Sequence, residues 1–219
     1  MNTEHDIDAF WGETAHRYVE WMKPWQTIRQ GGFAEGDIQW FPEATLNVSV
    51  NCLDRHLADK ANKAAIIWEG DTEEEQRTLT FAELHREVCR MANVLRKLGV
   101  GKGDRVGIYL PMIPEVAISM LACARIGAVH TVIFAGFSAM ALQQRLEASA
   151  AKVLITADGY YRGGKFFTLK SQADEASQGL QLKTLLIKHS HTDISFDATQ
   201  DHWWHELKTT VNDSCEPEE

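Results

Sequence analysis

The chain has 219 residues, enough for one large domain or for one domain with a smaller appendage. Its formal net charge of −9 argues against nucleic acid as a main partner, because that affinity rests on a clustered positive surface. No apolar run approaches the ~18 residues of a membrane span, and the polar, acidic start does not resemble a secretion signal. We therefore expect a cytoplasmic protein with no nucleic-acid or membrane partner.

Four cysteines support the same location. Cys52, Cys89, Cys123 and Cys215 are far apart, and three of them fall in apolar helical patterns. No spacing resembles a metal or redox pair. We interpret all four as reduced, buried thiols of a cytoplasmic protein.

The first sixty residues predict a helical cap with long loops. Residues 6–25 should form a helix with an aromatic-rich apolar side. Glycines then cluster before residues 38–42, which predicts a loop, or a loop with one short strand. Residues 46–57 carry apolar side chains near the i, i+4, i+7 spacing and predict a second helix. We do not expect this region to fold alone.

A more regular region follows. Residues 64–68 and 77–80 bracket an acidic, turn-like run and predict a β-hairpin. Thr80 and Glu83 form a capping box that begins a helix, and Gly99 suits the left-handed cap at its end. The glycine-rich segment from Gly99 follows a helix and precedes a strand, the reverse of a dinucleotide fingerprint. We interpret it as a helix cap and a tight turn.

Strands and helices alternate over the rest of the chain. The predicted strands are 106–110, 129–134, 153–156 and 185–187, and the predicted helices are 115–126, 139–148 and 169–178. This order predicts an α/β fold with a parallel, helix-flanked sheet, preceded by the helical and loop cap. The tail from Ser190 is expected to be irregular apart from a turn at 202–208. We place the boundary between cap and main region at residues 62 and 63.

Two segments that directly follow apolar strands predict a ligand site. Residues 134–138 supply a glycine turn entering a helix capped by Ser138, and residues 155–165 supply a glycine-loosened loop with Arg162 and Lys165. If the two preceding strands are parallel neighbours, both segments lie at one carboxyl edge, where such sheets bind ligands. The pair suits an anionic, phosphorylated ligand. Taken alone, the first segment has a plainer interpretation as a strand-to-helix turn. The second, taken alone, has a plainer interpretation as a solvated basic loop.

Histidines and tryptophans of the chain have plainer interpretations too. The histidines at 189, 191, 202 and 205 lie in the least regular part, so we interpret them as surface residues rather than zinc ligands. The tryptophans are interpreted as packing of the cap rather than as platforms for nucleic-acid bases.

At these residues the sequence resembles the AMP-forming acetyl-CoA synthetases, a family of the adenylate-forming enzyme superfamily. The resemblance covers essentially the whole chain and includes 10–11, 21–25, 40–41, 46–47, 54–56, 80–84, 98–104, 109–112, 125–128, 135–138 and 155–165. It implies that residues 1–62 are the cap region typical of short-chain acyl synthetases. Residues 63–219 would then be the first part of an AMP-binding adenylation domain.

The resemblance also implies an activity. Members of the family are acetate–CoA ligases. They make acetyl-CoA through an acetyl-adenylate and release AMP and pyrophosphate. Their substrates are acetate, ATP and CoA, and they use Mg²⁺. The implied CoA-binding residues are Arg162, Gly163, Gly164 and Lys165, whose cationic side chains meet the 3′-phosphate, with Gly136 and Phe137 lining the same site. Many relatives carry Arg at the position of Lys165, so the charge is kept here while the two-point guanidinium geometry is lost.

The family's phosphate loop, acyl pocket, ribose-binding carboxylate and mobile C-terminal domain are not among these residues. We therefore expect an enzyme fragment with no catalytic residue and no metal site, inactive alone and self-associating through its truncated face. Two other classes stay open, a non-catalytic module that binds CoA or a nucleotide, and a purely structural piece. Propionate in place of acetate as the substrate also stays open, because the residues that would select the acyl group are missing.

Overall fold

The computed structural model describes residues 3–72 and 74–219. The first sixty residues form a cap of short elements. These are helix α1 (Thr3–Tyr18), the antiparallel strands β1 (Arg29–Gly32) and β2 (Asp37–Trp40), and the helices α2 (Val48–Cys52) and α3 (Leu57–Lys60). The prediction of a largely helical cap is confirmed in outline, but three of its details are wrong.

The first cap helix ends at Tyr18 rather than at Trp25. Beyond that point the backbone bonds to side chains of a neighbouring segment. Asn51 Oδ1 accepts from the Glu20 N–H at 2.8 Å, and Arg55 donates to the Tyr18 carbonyl at 2.7 Å. Because these partners satisfy the backbone groups, the chain can leave the helix here.

The other two differences concern the second helix and the glycine-rich loop. Residues 46–57 form α2, a 3₁₀ turn and the start of α3, with Leu53 at φ −126° between them. The next residue, Asp54, accepts two hydrogen bonds from Arg125 at 2.8 and 2.9 Å, which fixes the break. The glycine-rich loop holds two paired strands, β1 and β2, instead of at most one.

The capped helix of the sequence prediction is present. Strands β3 (Ala64–Glu69) and β4 (Gln76–Thr80) form the expected antiparallel hairpin, and helix α4 (Phe81–Lys97) follows directly. Thr80 Oγ1 accepts from the Glu83 N–H at 3.2 Å, and the Glu83 carboxylate accepts from the Thr80 N–H at 2.8 Å. Gly99 has φ +96°, which confirms the left-handed cap after α4.

A five-stranded parallel sheet forms the centre of the fold. Its strands and their neighbours are β5 (Arg105–Tyr109), α5 (Pro114–Arg125), β6 (Val129–Val132), α6 (Ala139–Ser149), β7 (Val153–Ala157), β8 (Gly159–Arg162), β9 (Lys165–Thr168), α7 (Lys170–Ala176), β10 (Lys183–Ile187), β11 (Asp201–Trp203) and α8 (Trp204–Leu207). The strand order is β11-β10-β7-β5-β6, and every neighbouring pair is parallel. The predicted α/β class is confirmed.

The strand order corrects one premise of the predicted site. Strands β6 and β7 are not neighbours, because β5 lies between them and pairs with both. Their carboxyl ends still share one edge, since all five strands run in the same direction. The connections from β5 to β6 and from β6 to β7 cross the sheet in opposite directions, so right-handed crossovers place α5 and α6 on opposite faces.

Burial follows this layered arrangement. Strands β5, β7 and β10 are buried almost throughout, as expected for parallel strands covered on both faces. All four cysteines are free thiols, but Cys52 is exposed, contrary to the expectation that all are buried. Burial raises the pKa of the Cys123 thiol to about 12, so it stays protonated.

None of the helices in residues 3–72 and 74–219 combines the length and the apolar character that a membrane crossing needs.

The segment after Ser190 is more ordered than predicted. Strand β11 adds to β10 as a parallel edge strand, and the short helix α8 follows it. Lys170 of α7, whose side chain is 3% exposed, forms an ion pair with Asp201 of β11 at 2.9 Å. This buried contact holds a three-residue strand that has no apolar pattern of its own.

Candidate functional site

The carboxyl edge of the sheet carries a cleft of about 550 Å³. Five segments form its walls: β3 with the loop after it, the segment after β5, the segment after β6, the β8–β9 hairpin, and the start of the segment after β10. Open α/β sheets bind their ligands at this edge. The cleft is therefore where the predicted site residues should meet.

The predicted loop after β7 is a β-hairpin. Arg162 and Lys165 are direct cross-strand partners, and Gly163 and Gly164 form the two-residue turn between them. The two glycines have φ +57° and +72°, values that suit a type I′ turn and strongly favour glycine. Two adjacent glycines between aromatic runs are a hairpin signal. The expectation of a loosened loop was wrong.

A buried carboxylate anchors the base of this hairpin. Asp158 is 1% exposed and accepts backbone N–H groups of Gly159 and His189 at 2.9 Å, of Ser190 at 3.0 Å and of Thr192 at 3.3 Å. These bonds join the end of β7 to the end of β10. Peptide N–H groups thus satisfy the buried charge.

A second carboxylate holds the tip of the hairpin. The Gly163 N–H donates to Asp71 Oδ1 at 3.1 Å, and the Gly164 N–H donates to Asp71 Oδ2 at 3.2 Å. The Asp71 N–H donates to Glu75 Oε2 at 2.9 Å within the same loop. The acidic β3–β4 loop and the β8–β9 hairpin therefore share one rim. The sequence analysis treated this loop only as a turn, and no local signal would have linked it to residues 163–164.

Among the six predicted CoA-binding residues, Arg162 is the one that lines the cleft. Its side chain makes no hydrogen bond or ion pair with the residues that the structure describes. Lys165 lies directly opposite, so both side chains project from the same face of the hairpin, but Lys165 is outside the cleft lining. An available guanidinium at the wall of a cleft suits an anionic group.

The hydroxyl group of a buried tyrosine fixes the turn after β6. The Tyr109 hydroxyl lies 3.0 Å from the Ala135 carbonyl oxygen and 2.9 Å from that of Phe137, and it donates to them. Burial raises the pKa of Tyr109 to about 12, so the phenol remains a donor. Phe134 and Ala135 form part of the cleft wall, whereas Gly136 and Phe137 lie outside its lining.

Helix α6 begins as predicted. Ser138 Oγ accepts from the Ala141 N–H at 3.4 Å and caps the helix. Arg145 of the same helix lies over the Phe137 ring, 4.5 Å from its centroid. The structure therefore brings both predicted segments to one edge, but it places Phe137 against its own helix rather than on the cleft wall.

Another part of the cleft wall is fixed by a tryptophan. Trp68 Nε1 donates to the Met112 carbonyl oxygen at 2.6 Å, which ties β3 to the segment after β5. The His189 ring packs edge-on against Trp68 at 6.1 Å between centroids, and it is half-buried where it lines the cleft. No group of three or more His, Cys, Asp or Glu side chains in residues 3–72 and 74–219 could hold a metal ion.

Comparison with known protein families matches almost the whole chain. Residues 53–218 match the family described as AMP-binding enzyme, and residues 2–52 match the family described as acetyl-coenzyme A synthetase N-terminus. The domain boundary that we placed at residues 62 and 63 stays a prediction.

Individual relatives are consistent with these matches. The chain is 49% identical over 216 residues to an acetyl-coenzyme A synthetase of Saccharophagus degradans, covering 98% of this chain and 34% of that protein. It is 49% identical over 220 residues to the enzyme of that name from Vibrio vulnificus, with the same coverage. The solved acetoacetyl-CoA synthetase from Streptomyces lividans superposes with a TM-score of 0.84 at 31% identity, covering 97% of this chain and 32% of that one. The chain spans about a third of the length of the curated relatives it matches.

Proposed function

Because the chain belongs to the family of AMP-binding enzymes, we propose that it is the N-terminal part of an ATP-dependent acetate–CoA ligase. The whole protein would join acetate to ATP as acetyl-adenylate, release pyrophosphate, and then transfer the acetyl group to the CoA thiol with release of AMP. Its partners would be these small molecules. The names of the relatives and the two family matches support this reaction.

Magnesium belongs to the proposed reaction, and we propose that it binds outside this part of the protein. Mg²⁺ prefers oxygen ligands from carboxylates, phosphates and water. The described residues offer no cluster of carboxylates or imidazoles that suits a metal ion. The proposal therefore assigns no step of this chain to the ion.

The proposed role of this chain is to hold part of CoA. The proposed CoA-binding residues are Arg162, Gly163, Gly164, Lys165, Gly136 and Phe137. The observation that carries the proposal is the guanidinium of Arg162 on the cleft wall, with Lys165 on the same face of the hairpin. Two cations on one face can both reach one phosphate group, here the 3′-phosphate of CoA.

The charges around the cleft favour this placement of a phosphate. The β3–β4 side of the cleft carries Glu69, Asp71 and Glu75, while the hairpin carries Arg162. Unlike charges attract and like charges repel, so an anionic ligand in the cleft is drawn to the Arg162 guanidinium rather than to these carboxylates. Trp68 and Phe134 line the cleft as well and offer apolar surface to the rest of the ligand.

Substitution of Arg162 in the full-length protein tests the site. A charge-assisted bond contributes on the order of 1.5–3 kcal/mol, so Arg162→Ala should raise the KM for CoA roughly 10- to 100-fold, at ~1.4 kcal/mol per decade. Acetate-dependent pyrophosphate exchange, which precedes CoA entry, should be nearly unchanged. Dephospho-CoA should bind the unmodified enzyme more weakly, and Arg162→Ala should then matter little.

Arg86→Ala is the matched control, because Arg86 is exposed on α4, away from the cleft. It should leave the KM for both forms of CoA unchanged. Equal loss for CoA and dephospho-CoA in Arg162→Ala, or loss of exchange, would show that Arg162 is a structural residue instead.

The chain alone should not exchange pyrophosphate with ATP in the presence of acetate. The proposal puts the groups that hold the triphosphate in the part of the relatives that this chain does not span. Positioning and charge stabilisation supply most of the catalysis in such a step. Acetate-dependent exchange by the purified 219-residue chain, measured beside the full-length protein, would contradict this placement.

A cytoplasmic location is also part of the proposal, and four free thiols support it. A non-catalytic CoA-binding module is the second candidate, because the cleft is built entirely from described residues of this chain. CoA binding without acetate-dependent acetyl-CoA formation by the full-length protein would favour this second candidate.

A further inference from the structure

The glycine turn at the tip of the β8–β9 hairpin forms a small anion-binding site. In a two-residue hairpin turn the N–H groups of the two central residues lie outside the strand ladder. Two successive N–H groups of this kind make a concavity that attracts anions. A carboxylate of the same chain fills it, because Gly163 and Gly164 donate to the two oxygens of Asp71 at 3.1 and 3.2 Å.

We propose that Asp71 is a positioning residue for the CoA phosphate, which holds the hairpin tip so that Arg162 is presented to the cleft. This proposal rests on the proposed function of the cleft. Asp71 touches the turn next to Arg162 and not the guanidinium itself, so its proposed effect on Arg162 passes through the hairpin.

The restraints along the hairpin support this role. Its base is fixed by Asp158 and its tip by Asp71, whereas the Arg162 side chain has no hydrogen bond or ion pair among the described residues. The adjacent glycines have positive φ and no side chain, so the tip would sample many conformations without Asp71. Ordering the tip beforehand reduces the entropy lost when a ligand binds.

The loop that carries Asp71 is itself fixed to the body of the molecule. The Asp71 N–H bonds to Glu75 Oε2, and the Gly70 N–H donates to the Glu75 carbonyl at 2.7 Å. On β3, the strand that leads into this loop, Trp68 donates to the Met112 carbonyl at 2.6 Å. Asp71 therefore connects the hairpin tip to the β3 side of the cleft.

A different role for Asp71 would be to compete with the ligand phosphate for the two N–H groups. The geometry favours positioning, because Arg162 lines the cleft while Gly163 and Gly164 lie outside its lining. A phosphate in the cleft therefore meets the guanidinium, while the two N–H groups of the turn stay bonded to Asp71. The two roles predict opposite changes in CoA affinity when the carboxylate is removed.

The test uses the full-length protein with Asp71→Ala, Asp71→Asn and the control Glu74→Ala. Asp71→Ala should raise the KM for CoA about fivefold, and Asp71→Asn less, because the amide oxygen keeps one acceptor. The kcat and the acetate-dependent pyrophosphate exchange should not change. Glu74 is an exposed acid of the same loop whose side chain bonds to no described residue, so Glu74→Ala should leave the KM unchanged.

A double substitution separates positioning from a general loss of stability. Added to Arg162→Ala, Asp71→Ala should raise the KM for CoA by less than about twofold further, since the two residues act together. Amide hydrogen exchange at Gly163 and Gly164 should become faster in Asp71→Ala and stay unchanged in Glu74→Ala. Slow exchange in both variants would overturn the proposal.

The remaining outcomes are also decisive. An unchanged KM for CoA in Asp71→Ala, or a full effect in the Arg162→Ala background, would overturn positioning, and a lowered KM would show competition with the ligand. If Arg162→Ala itself spares CoA, the proposed site is wrong and the positioning role fails with it. If Arg162→Ala raises the KM for CoA as expected and Asp71→Ala leaves it unchanged, only the positioning role is overturned.

Discussion

Asp158 joins two strand ends through a single side chain. Its carboxylate accepts four backbone N–H groups at the ends of β7 and β10, and it forms no ion pair with the residues that the structure describes. Buried charges are tolerated when several donors surround them. The hairpin that carries Arg162 therefore begins from a fixed point.

Asp158→Asn should destabilise the chain. The substitution replaces one carboxylate oxygen with an NH₂ group that cannot accept a bond, so at least one buried N–H loses its partner. We expect a loss of about 1–3 kcal/mol, which lowers the melting temperature by roughly 2–12 °C for a chain of this size. Thermal unfolding measures it, with the exposed Asp193→Asn as control. Equal melting temperatures for Asp158→Asn and the unmodified chain would contradict the role of Asp158.

The candidate site could be predicted only in part at this scale. Arg162 and Lys165 follow an apolar strand, and that local pattern is enough to place them at the carboxyl edge. Asp71 and Asp158 could not be found in the same way. The partners of Asp71 are some ninety residues away, and an acidic turn in isolation resembles solvated surface.

A network of ionisable side chains fastens α4 and α5 to the cap. Arg125, at the end of α5, is 3% exposed and donates two hydrogen bonds to Asp54. His85 Nε2 of α4 lies 3.4 Å from Asp54 Oδ1. The bonds to Asp54 and to Cys89 raise the pKa of His85 to about 9. Burial opposes ionisation of Asp54, but the bonds from His85 and Arg125 outweigh it and hold its pKa below the ordinary value.

Stability should therefore fall as the pH rises above neutrality. A raised folded pKa means that His85 stabilises the fold fully below about 6.5 and loses this contribution as the pH rises to about 9. Asp54 acts in the opposite sense, and its contribution is lost as the pH falls below its ordinary pKa of 3.8. At pH 6, His85→Gln should lower the melting temperature by roughly 2–8 °C, and the difference should shrink above pH 9.

Melting curves between pH 6 and 10 measure this effect. His130→Gln is the control, because burial lowers the pKa of His130 and its titration acts below pH 6.5. A constant difference between His85→Gln and the unmodified chain over this range would contradict the assignment.

Elements with strong local signals were predicted well, and those set by distant contacts were not. Helix α4 has a capping box, a regular apolar spacing and a terminal glycine, so its sequence alone defines it. Strand β11 is held by parallel pairing to β10 and by Lys170, contacts that its three residues do not reveal. The same reason explains why the position of β5 between β6 and β7 could not be read from the order of the elements.

The two edges of the whole sheet differ in character. Strand β11 is short and polar, and its aspartate is paired with Lys170. Strand β6 pairs with β5 alone among the described strands, and Val129 and Val132 are 54% and 51% exposed on it. An apolar edge strand with free backbone groups is a template for pairing with another chain.

The purified 219-residue chain should self-associate through β6. Sedimentation should show an average mass that rises with concentration, and Val132→Lys should reduce this rise because a charged edge resists pairing. Val48→Lys is the control, since Val48 is equally exposed but lies on α2 in the cap. A strictly monomeric chain at high concentration would contradict the prediction.

Arg125 is synthesised later than the cap residue that it binds. It follows Asp54 by 71 residues, so a ribosome adding 5–20 residues per second makes it roughly 4–14 s later. Arg125 Nε also donates to the Cys215 carbonyl at 2.6 Å, a further 90 residues along the chain. The cap thus emerges from the ribosome well before Arg125, the side chain that fastens it, has been made. During translation it is the part of the nascent chain that a ribosome-associated chaperone would meet.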